Sequence, residues 1–172
     1  MSLRMMERKD EAVRALYDEH KDEVFGFLVK LLGDRALAED LLQESFVRVH
    51  ASWDRFDQSK PFRPWLFAIV RNLVASTKRK KRERPIASEA SISDRIVKDL
   101  SREESRERAE AALAALGDDA RMLLIQRHGL DMKLEELAQA MGCTERTVTN
   151  RLRAAAEEFT RAWLSTQEGG RS

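Results

Sequence analysis

Two groups of side chains in this sequence have the chemistry of nucleic-acid contact. In the first, six of the eleven aromatic residues (Phe46, Trp53, Phe56, Phe62, Trp65 and Phe67) fall within 22 positions, directly upstream of the run Lys78-Arg79-Lys80-Lys81-Arg82. Rings stack on unpaired bases while neighbouring cations hold phosphates, a combination suited to single-stranded nucleic acid. The same residues admit a plainer reading, with Trp53, Trp65 and Phe67 in a core and the basic run as a solvated helix end. Phe62, set between Pro61 and Arg63, is the ring expected to stand exposed in a loop.

The second group lies near the C-terminus. Ala138, Gly142, Val148 and Leu152 supply a small residue where two helices cross, a glycine for a tight turn and two apolar residues that seat the second helix. This is helix-turn-helix spacing, and it turns the early side chains of the second helix toward solvent or a major groove. Arg146, Thr149, Asn150 and Arg153 are then placed for base edges, with Thr147 and Arg151 nearer the phosphates. A corner of two helices that merely packs is the competing reading. Ala154, Ala155 and Ala156 leave the rest of this helix electrically plain, so this half alone is expected to bind DNA weakly.

A third constellation is Asp40, Gln43 and Glu44, which share one helix face opposite the stripe holding Leu41 and Val49. An acidic, amide-bearing face suits a basic partner helix, or is simply solvated. Catalysis finds little support: His20, His50 and His128 are scattered, and neither a phosphate-cradling loop nor a nucleophile elbow is present. Cys143 sits in the helix-turn-helix turn as a small packing residue. No enzyme activity, cofactor or metal is expected.

Charge singles out one segment. The chain has 172 residues and a net charge of +1, which by itself argues against a phosphate-rich partner. Residues 61–84, however, carry eight basic side chains against Glu83 alone, a net of +7, while residues 1–60 carry −3, 85–140 carry −4 and 141–172 carry +1. The single cysteine cannot form an internal disulfide, no charged-then-apolar leader opens the chain and no stretch is apolar enough to span a bilayer. The expected location is the cytoplasm, without membrane insertion.

The elements that must position these residues are helical. Gly (7) and Pro (3) are scarce and charged residues make up 35%, favouring long helices and an all-α fold of two small domains. Apolar residues recur at helical spacing from Asp10 to Leu32, Gly33 stops that helix, Asp34 caps the next, and Leu37, Leu41, Leu42, Ser45, Val49 and Trp53 form its stripe. Arg55 to Arg63 reads as an exposed loop, and Pro64 suits the first turn of a third helix leading into the basic run. Residues 85–107 read as a linker, with Ile92, Ile96 and Leu100 spaced for a helix against a partner. Beyond it, helices are expected from Ala109 to Leu116, from Asp118 to near His128, from Lys133 to Met141, and from a Thr144 cap to about Leu164.

Taken in order, residues 10–84 and 108–164 resemble a bacterial sigma factor of the sigma-70 family, in the extracytoplasmic-function (ECF) group that retains only regions 2 and 4. The stretches that carry the resemblance are AEDLLQESFVRVHASWDRFDQSKPFRPWLFAIVRNLVASTKRKKR and LEELAQAMGCTERTVTNRLRAA. The resemblance implies a region 2 domain over 1–84, a linker over 85–107 and a region 4 domain over 108–172. It implies that Asp40, Gln43 and Glu44 bind the clamp helices of core RNA polymerase. It further implies that the loop Asp57 to Arg63 and the helix from Trp65, with Phe62, Arg63, Trp65, Arg71, Asn72, Lys78, Arg79 and Lys80, open and read the −10 element of promoter DNA. Region 4 is implied to bind the polymerase flap and to place Arg146, Thr147, Thr149, Asn150, Arg151 and Arg153 at the −35 element. An anti-sigma protein is an implied partner. Ser76 stands where many relatives have Asp, and Arg146 where Gly is common, which puts the promoter sequence rather than the activity in question. An autonomous helix-turn-helix regulator that binds duplex DNA without polymerase is the alternative.

Overall fold

The computed structural model describes residues 3–83 and 100–168, with side chains over 6–79 and 105–165. The elements are α1 (Leu3–Leu32), α2 (Arg35–Ser52), a 3-10 turn (Trp53–Arg55), α3 (Phe62–Glu83), α4 (Leu100–Ala115), α5 (Asp118–Leu124), a π-helical turn (Ile125–Gly129), α6 (Leu134–Met141) and α7 (Glu145–Glu168). They form two compact units, one holding α1–α3 and the other α4, α5, α7 and the first turns of α6.

In the first unit, the expected hairpin is built by its two cap residues. Gly33 takes φ +68°, and its N–H donates to the Val29 carbonyl at 2.9 Å, the left-handed cap that a residue without Cβ adopts at little cost. Asp34 follows in extended geometry and its Oδ1 accepts from the Leu37 N–H at 3.0 Å, satisfying a donor that the new helix leaves unpaired. The chain reverses in two residues, so α1 and α2 pack side by side.

Periodicity decides what they bury. Val24, Phe27, Leu28 and Leu31 of α1 meet Ala38, Leu41, Leu42, Phe46 and Val49 of α2, and Leu66, Phe67, Val70, Leu73 and Val74 of α3 complete the core. Phe27 and Phe67 meet edge to face with centroids 5.4 Å apart, and Tyr17 and Phe46 do so at 5.0 Å. Ser45 is fully buried yet satisfied, its hydroxyl donating to the Leu41 carbonyl at 2.6 Å. Phe67 is therefore core, as the plainer reading of the aromatic cluster has it.

The second unit centres on Leu116, Leu124 and Ala155, with Leu113, Ala120, Leu152, Phe159 and Ala162 packed around them. The α4 helix begins at Leu100, inside the segment read as linker, so its last eight positions are helical; Ile92 and Ile96 lie outside the described residues. The π-helical turn was not expected. It ends α5 through the Leu130 N–H on the Ile125 carbonyl and the Met132 N–H on the Gln126 carbonyl, both at 3.1 Å, with Asp131 at φ +54°. Arg127 closes it by donating from Nη1 to the Met132 carbonyl at 2.8 Å.

Candidate nucleic-acid interface

The loop between α2 and α3 is short because both of its ends are anchored. Phe62 does not stand in the loop, as its sequence neighbours suggest; it is the first residue of α3 and is half-buried. Its ring lies 5.7 Å from Phe56, 5.8 Å from Trp65, 6.4 Å from Trp53 and 5.3 Å from the His20 imidazole. Phe56 stacks on Trp65 at 4.6 Å and lies 5.7 Å from Trp53. The physical reason is mutual: four neighbouring rings bury more apolar area by closing on one another than by standing in water.

Between the anchors, Asp57 organises the turn. Its Oδ1 accepts from the Ser59 N–H at 3.1 Å and the Ser59 hydroxyl at 2.7 Å, while its carbonyl accepts from the Lys60 N–H at 2.9 Å. Those Ser59 hydrogen bonds, with help from Lys60, hold the Asp57 carboxyl below its ordinary range against a small opposing effect of desolvation. Asp57, Gln58, Ser59, Lys60 and Pro61 are all exposed, so a pre-shaped polar loop protrudes from an aromatic base.

Helix α3 sorts the remaining candidates by turn. Trp65, Asn72 and Arg79 are seven apart and follow one stripe, with Asn72 and Arg79 exposed. Arg71 and Lys78, also seven apart, follow a second stripe and are half-buried. Lys80 lies on α3, its side chain outside the described set. Arg63 is engaged: its Nε donates to Glu23 Oε1 at 2.8 Å, its Nη2 reaches the same oxygen, and its guanidinium stands 6.0 Å from the Phe67 ring centre. Spacing along one helix could not reveal this partner 40 residues away.

On α2, Asp40 and Gln43 are exposed, and the half-buried Glu44 accepts from Arg48 Nε at 2.9 Å. Gln43 also lines a shallow groove between α1 and α2 with Tyr17, Phe46, Val47 and His50. Sequence reasoning missed Val47, which is 61% exposed; its position outside the apolar stripe was the available signal.

The helix-turn-helix has the expected cap chemistry. The Cys143 N–H donates to the Ala138 carbonyl at 3.0 Å and the Gly142 N–H to the Gln139 carbonyl at 3.2 Å, with Gly142 at φ +61°, a Schellman close to α6. Thr144 Oγ1 accepts from the Thr147 N–H at 3.2 Å and opens α7. Val148 and Ala155 are buried and Leu152 is half-buried, which turns Arg146, Thr149, Asn150, Arg151 and Arg153 to solvent and leaves Thr147 half-covered beside the cap. Asn150 Oδ1 accepts from Arg153 Nη2 at 3.2 Å, so these two side chains present a joined surface. Among the described residues, no cluster of His, Cys, Asp or Glu could hold a metal ion, and no helix is long and apolar enough to cross a membrane.

Comparison with known proteins places both units. Residues 16–84 match the family model for sigma-70 region 2, and residues 106–158 match that for sigma-70 region 4. The ECF RNA polymerase sigma factor SigL of Mycobacterium tuberculosis is 30% identical over 155 residues, covering 83% of this chain and 84% of its own. SigM of Bacillus subtilis, another ECF sigma factor, is 36% identical over 85 residues, 49% of this chain and 48% of its own. Among solved structures, the sigma factor RpoE of Bartonella quintana, crystallised with the anti-sigma factor NepR, shares the fold with a TM-score of 0.71 at 23% identity, over 87% of this chain and 94% of its own. With two helical units in the order and geometry of regions 2 and 4, the chain belongs to the ECF RNA polymerase sigma factors of the sigma-70 family.

Proposed function

We propose that this sigma factor opens promoters by presenting the polar loop Asp57–Pro61, on its aromatic base, to a base leaving the −10 stack, while α3 holds the adjoining phosphates. The observation that carries the reading is the juxtaposition of a pre-shaped loop, a four-ring cluster and the chain's most basic segment within one three-helix unit. Unstacking a base costs a few kcal/mol, and stacking on rings with phosphate pairing offsets about that much. In this reading Phe62, Arg63, Trp65, Arg71, Asn72, Lys78, Arg79 and Lys80 make up the −10 surface.

The other assignments follow the family resemblance, and the exposure of Asp40, Gln43, Arg146, Thr149, Asn150, Arg151 and Arg153 is compatible with them. Asp40, Gln43 and Glu44 dock the clamp helices of core RNA polymerase, and α7 places Arg146, Thr147, Thr149, Asn150, Arg151 and Arg153 at the −35 element with the unit also resting on the flap. The working division is a region 2 domain over 1–84, a linker over 85–107 and a region 4 domain over 108–172. The chain acts in the cytoplasm and catalyses nothing itself; the polymerase it directs does the chemistry. The solved relative's complex with an anti-sigma factor supports a comparable inhibitor for this chain. An autonomous helix-turn-helix regulator whose N-terminal helices merely oligomerise is not favoured, because those helices match sigma-70 region 2 and the relatives are ECF sigma factors.

Transcription from a randomised promoter library by core polymerase, with and without the purified chain, tests the reading. New start sites sharing two spaced upstream elements are expected. Duplex binding by the chain alone, with no new initiation, would replace it with the autonomous regulator.

A further inference from the structure

His20 is one of only three buried polar side chains among the described residues. Its ring stands between two carboxylates, with Nδ1 3.6 Å from Glu23 Oε2 and Nε2 3.8 Å from Glu19 Oε1, and its centre is 5.3 Å from that of Phe62. The second oxygen of Glu23 takes both Nε and Nη2 of Arg63. A polar chain therefore runs from α1 through Glu23 to the second residue of α3. The side chains of Glu23 and Arg63 are only 25% and 23% exposed, so water screens this pair less than a surface pair.

The position of the chain gives it a task. Lower in the bundle, Phe27 against Phe67 and the aliphatic residues fix where the α3 axis lies. Its first turn is anchored by the ring contacts of Phe62 and Trp65, which are not directional, and its leading N–H groups lack intrahelical partners. That turn holds Phe62 and Arg63, and the exposed loop ends directly before it. A forked guanidinium on one carboxylate sets both distance and direction, which a point charge does not.

We infer that Glu23 is a positioning residue for promoter opening: by holding Arg63 it sets the α3 end of the capture loop, without itself touching DNA. Arg63 then belongs to the −10 surface as a second positioning residue, its guanidinium spent on Glu23 rather than on a phosphate. The inference rests on the base-capture reading of the loop proposed above.

The test uses holoenzyme assembled from bacterial core polymerase and the full chain, on a promoter recovered with the wild type from a randomised library. Strand opening is followed by permanganate reactivity of unpaired thymines, on duplex DNA and on the same template pre-opened by mismatches in the −10 region. Glu23→Arg and Arg63→Glu are each expected to slow opening of the duplex about tenfold and to act less than about threefold on the pre-opened template, with core affinity unchanged. The double exchange, which restores the pair in reverse, is expected to recover opening to within about threefold of wild type. Glu23→Gln keeps the size and an acceptor, folds even where a reversal does not, and is expected to slow the duplex alone by about threefold.

Normal opening by Glu23→Gln and the reversals, a double variant no faster than the slower single, or a loss of core affinity in step with opening would each overturn the inference. The variant Asp57→Ala, which removes the loop's own hydrogen bonds, runs alongside. If it opens DNA normally, the base-capture reading fails and takes the inference with it. If it is slow while Glu23→Gln is not, the reading stands and only the positioning role fails.

Discussion

At the scale of single residues, the same contacts that build the loop's base set the consequences of changing them. Phe62 touches four rings while half-exposed, so Phe62→Ala is expected to cost about 2 kcal/mol of stability, below the 3–5 kcal/mol of a fully buried ring. It should also slow promoter opening while leaving core polymerase affinity unchanged, which a melting curve, an open-complex footprint and a binding titration would separate. An unchanged footprint would move base capture away from Phe62 to the loop residues themselves. Arg146 is exposed at the start of α7, where a guanidinium can donate two hydrogen bonds to O6 and N7 of a guanine. Selection of −35 sequences with Arg146→Ala should relax preference at one base pair by about 1–3 kcal/mol, and an unaltered preference would remove Arg146 from the readout. Glu23 gives a pH dependence. Partial burial pushes its carboxyl up, but the nearby His20 ring, the hydrogen bonds from Arg63 and the charge of Arg63 outweigh that and hold it below the ordinary glutamate range. A carboxyl lowered by folding stabilises the protein above its unfolded pKa, and that contribution disappears as pH falls through the lowered folded value. Acid unfolding of Glu23→Gln should therefore show a shallower loss of stability between those two values than the wild type; identical profiles would mean that the pairing contributes nothing.

At the scale of elements, what was legible in the sequence was whatever is encoded locally. Helix periods, the Gly33–Asp34 corner and the Gly142–Thr144 turn depend on residues within one or two turns of each other, and all were readable. The hold of Glu23 on Arg63 was not, because nothing in spacing along one helix reports a partner 40 residues away. The exposure of Phe62 was misjudged because its flanking Pro61 and Arg63 look like loop, while three of the four rings that cover it come from α1 and from the stretch Trp53–Phe56. The π-helical turn at Ile125–Gly129 escaped notice since its composition is that of an ordinary helix end. The turn between α6 and α7 allows a quantitative check. Gly142 sits at φ +61° with open space around a would-be Cβ, so the cost of a side chain there is conformational rather than steric. Gly142→Ala should lower stability by about 1 kcal/mol and Gly142→Asn by less, since Asn tolerates the left-handed region. Equal losses for both in denaturant unfolding would indicate crowding that the open space does not suggest.

At the scale of the whole molecule, the charge segregation explains how a chain with a net charge of only +1 serves a polyanion. Net positive charge is concentrated in residues 61–84, at +7, and the −3 and −4 of the flanking segments oppose any broad attraction of the free chain to DNA. Affinity for duplex then has to come from a partner that brings its own contacts and places the basic helix against the backbone, which is the economy of a dissociable specificity subunit. A salt titration makes this measurable. Each phosphate neutralised on duplex DNA adds about 0.9 to the slope of log affinity against log salt, and about 0.7 on a single strand. Replacing exposed Arg79 and its neighbour Lys78 by Ala should therefore reduce the holoenzyme's slope on its promoter by about 1.5, and should weaken binding to all promoter sequences alike. A slope that stays constant would show that the run is a solvated helix end. A change confined to particular −10 sequences would instead assign these two side chains to reading bases rather than to holding the strand.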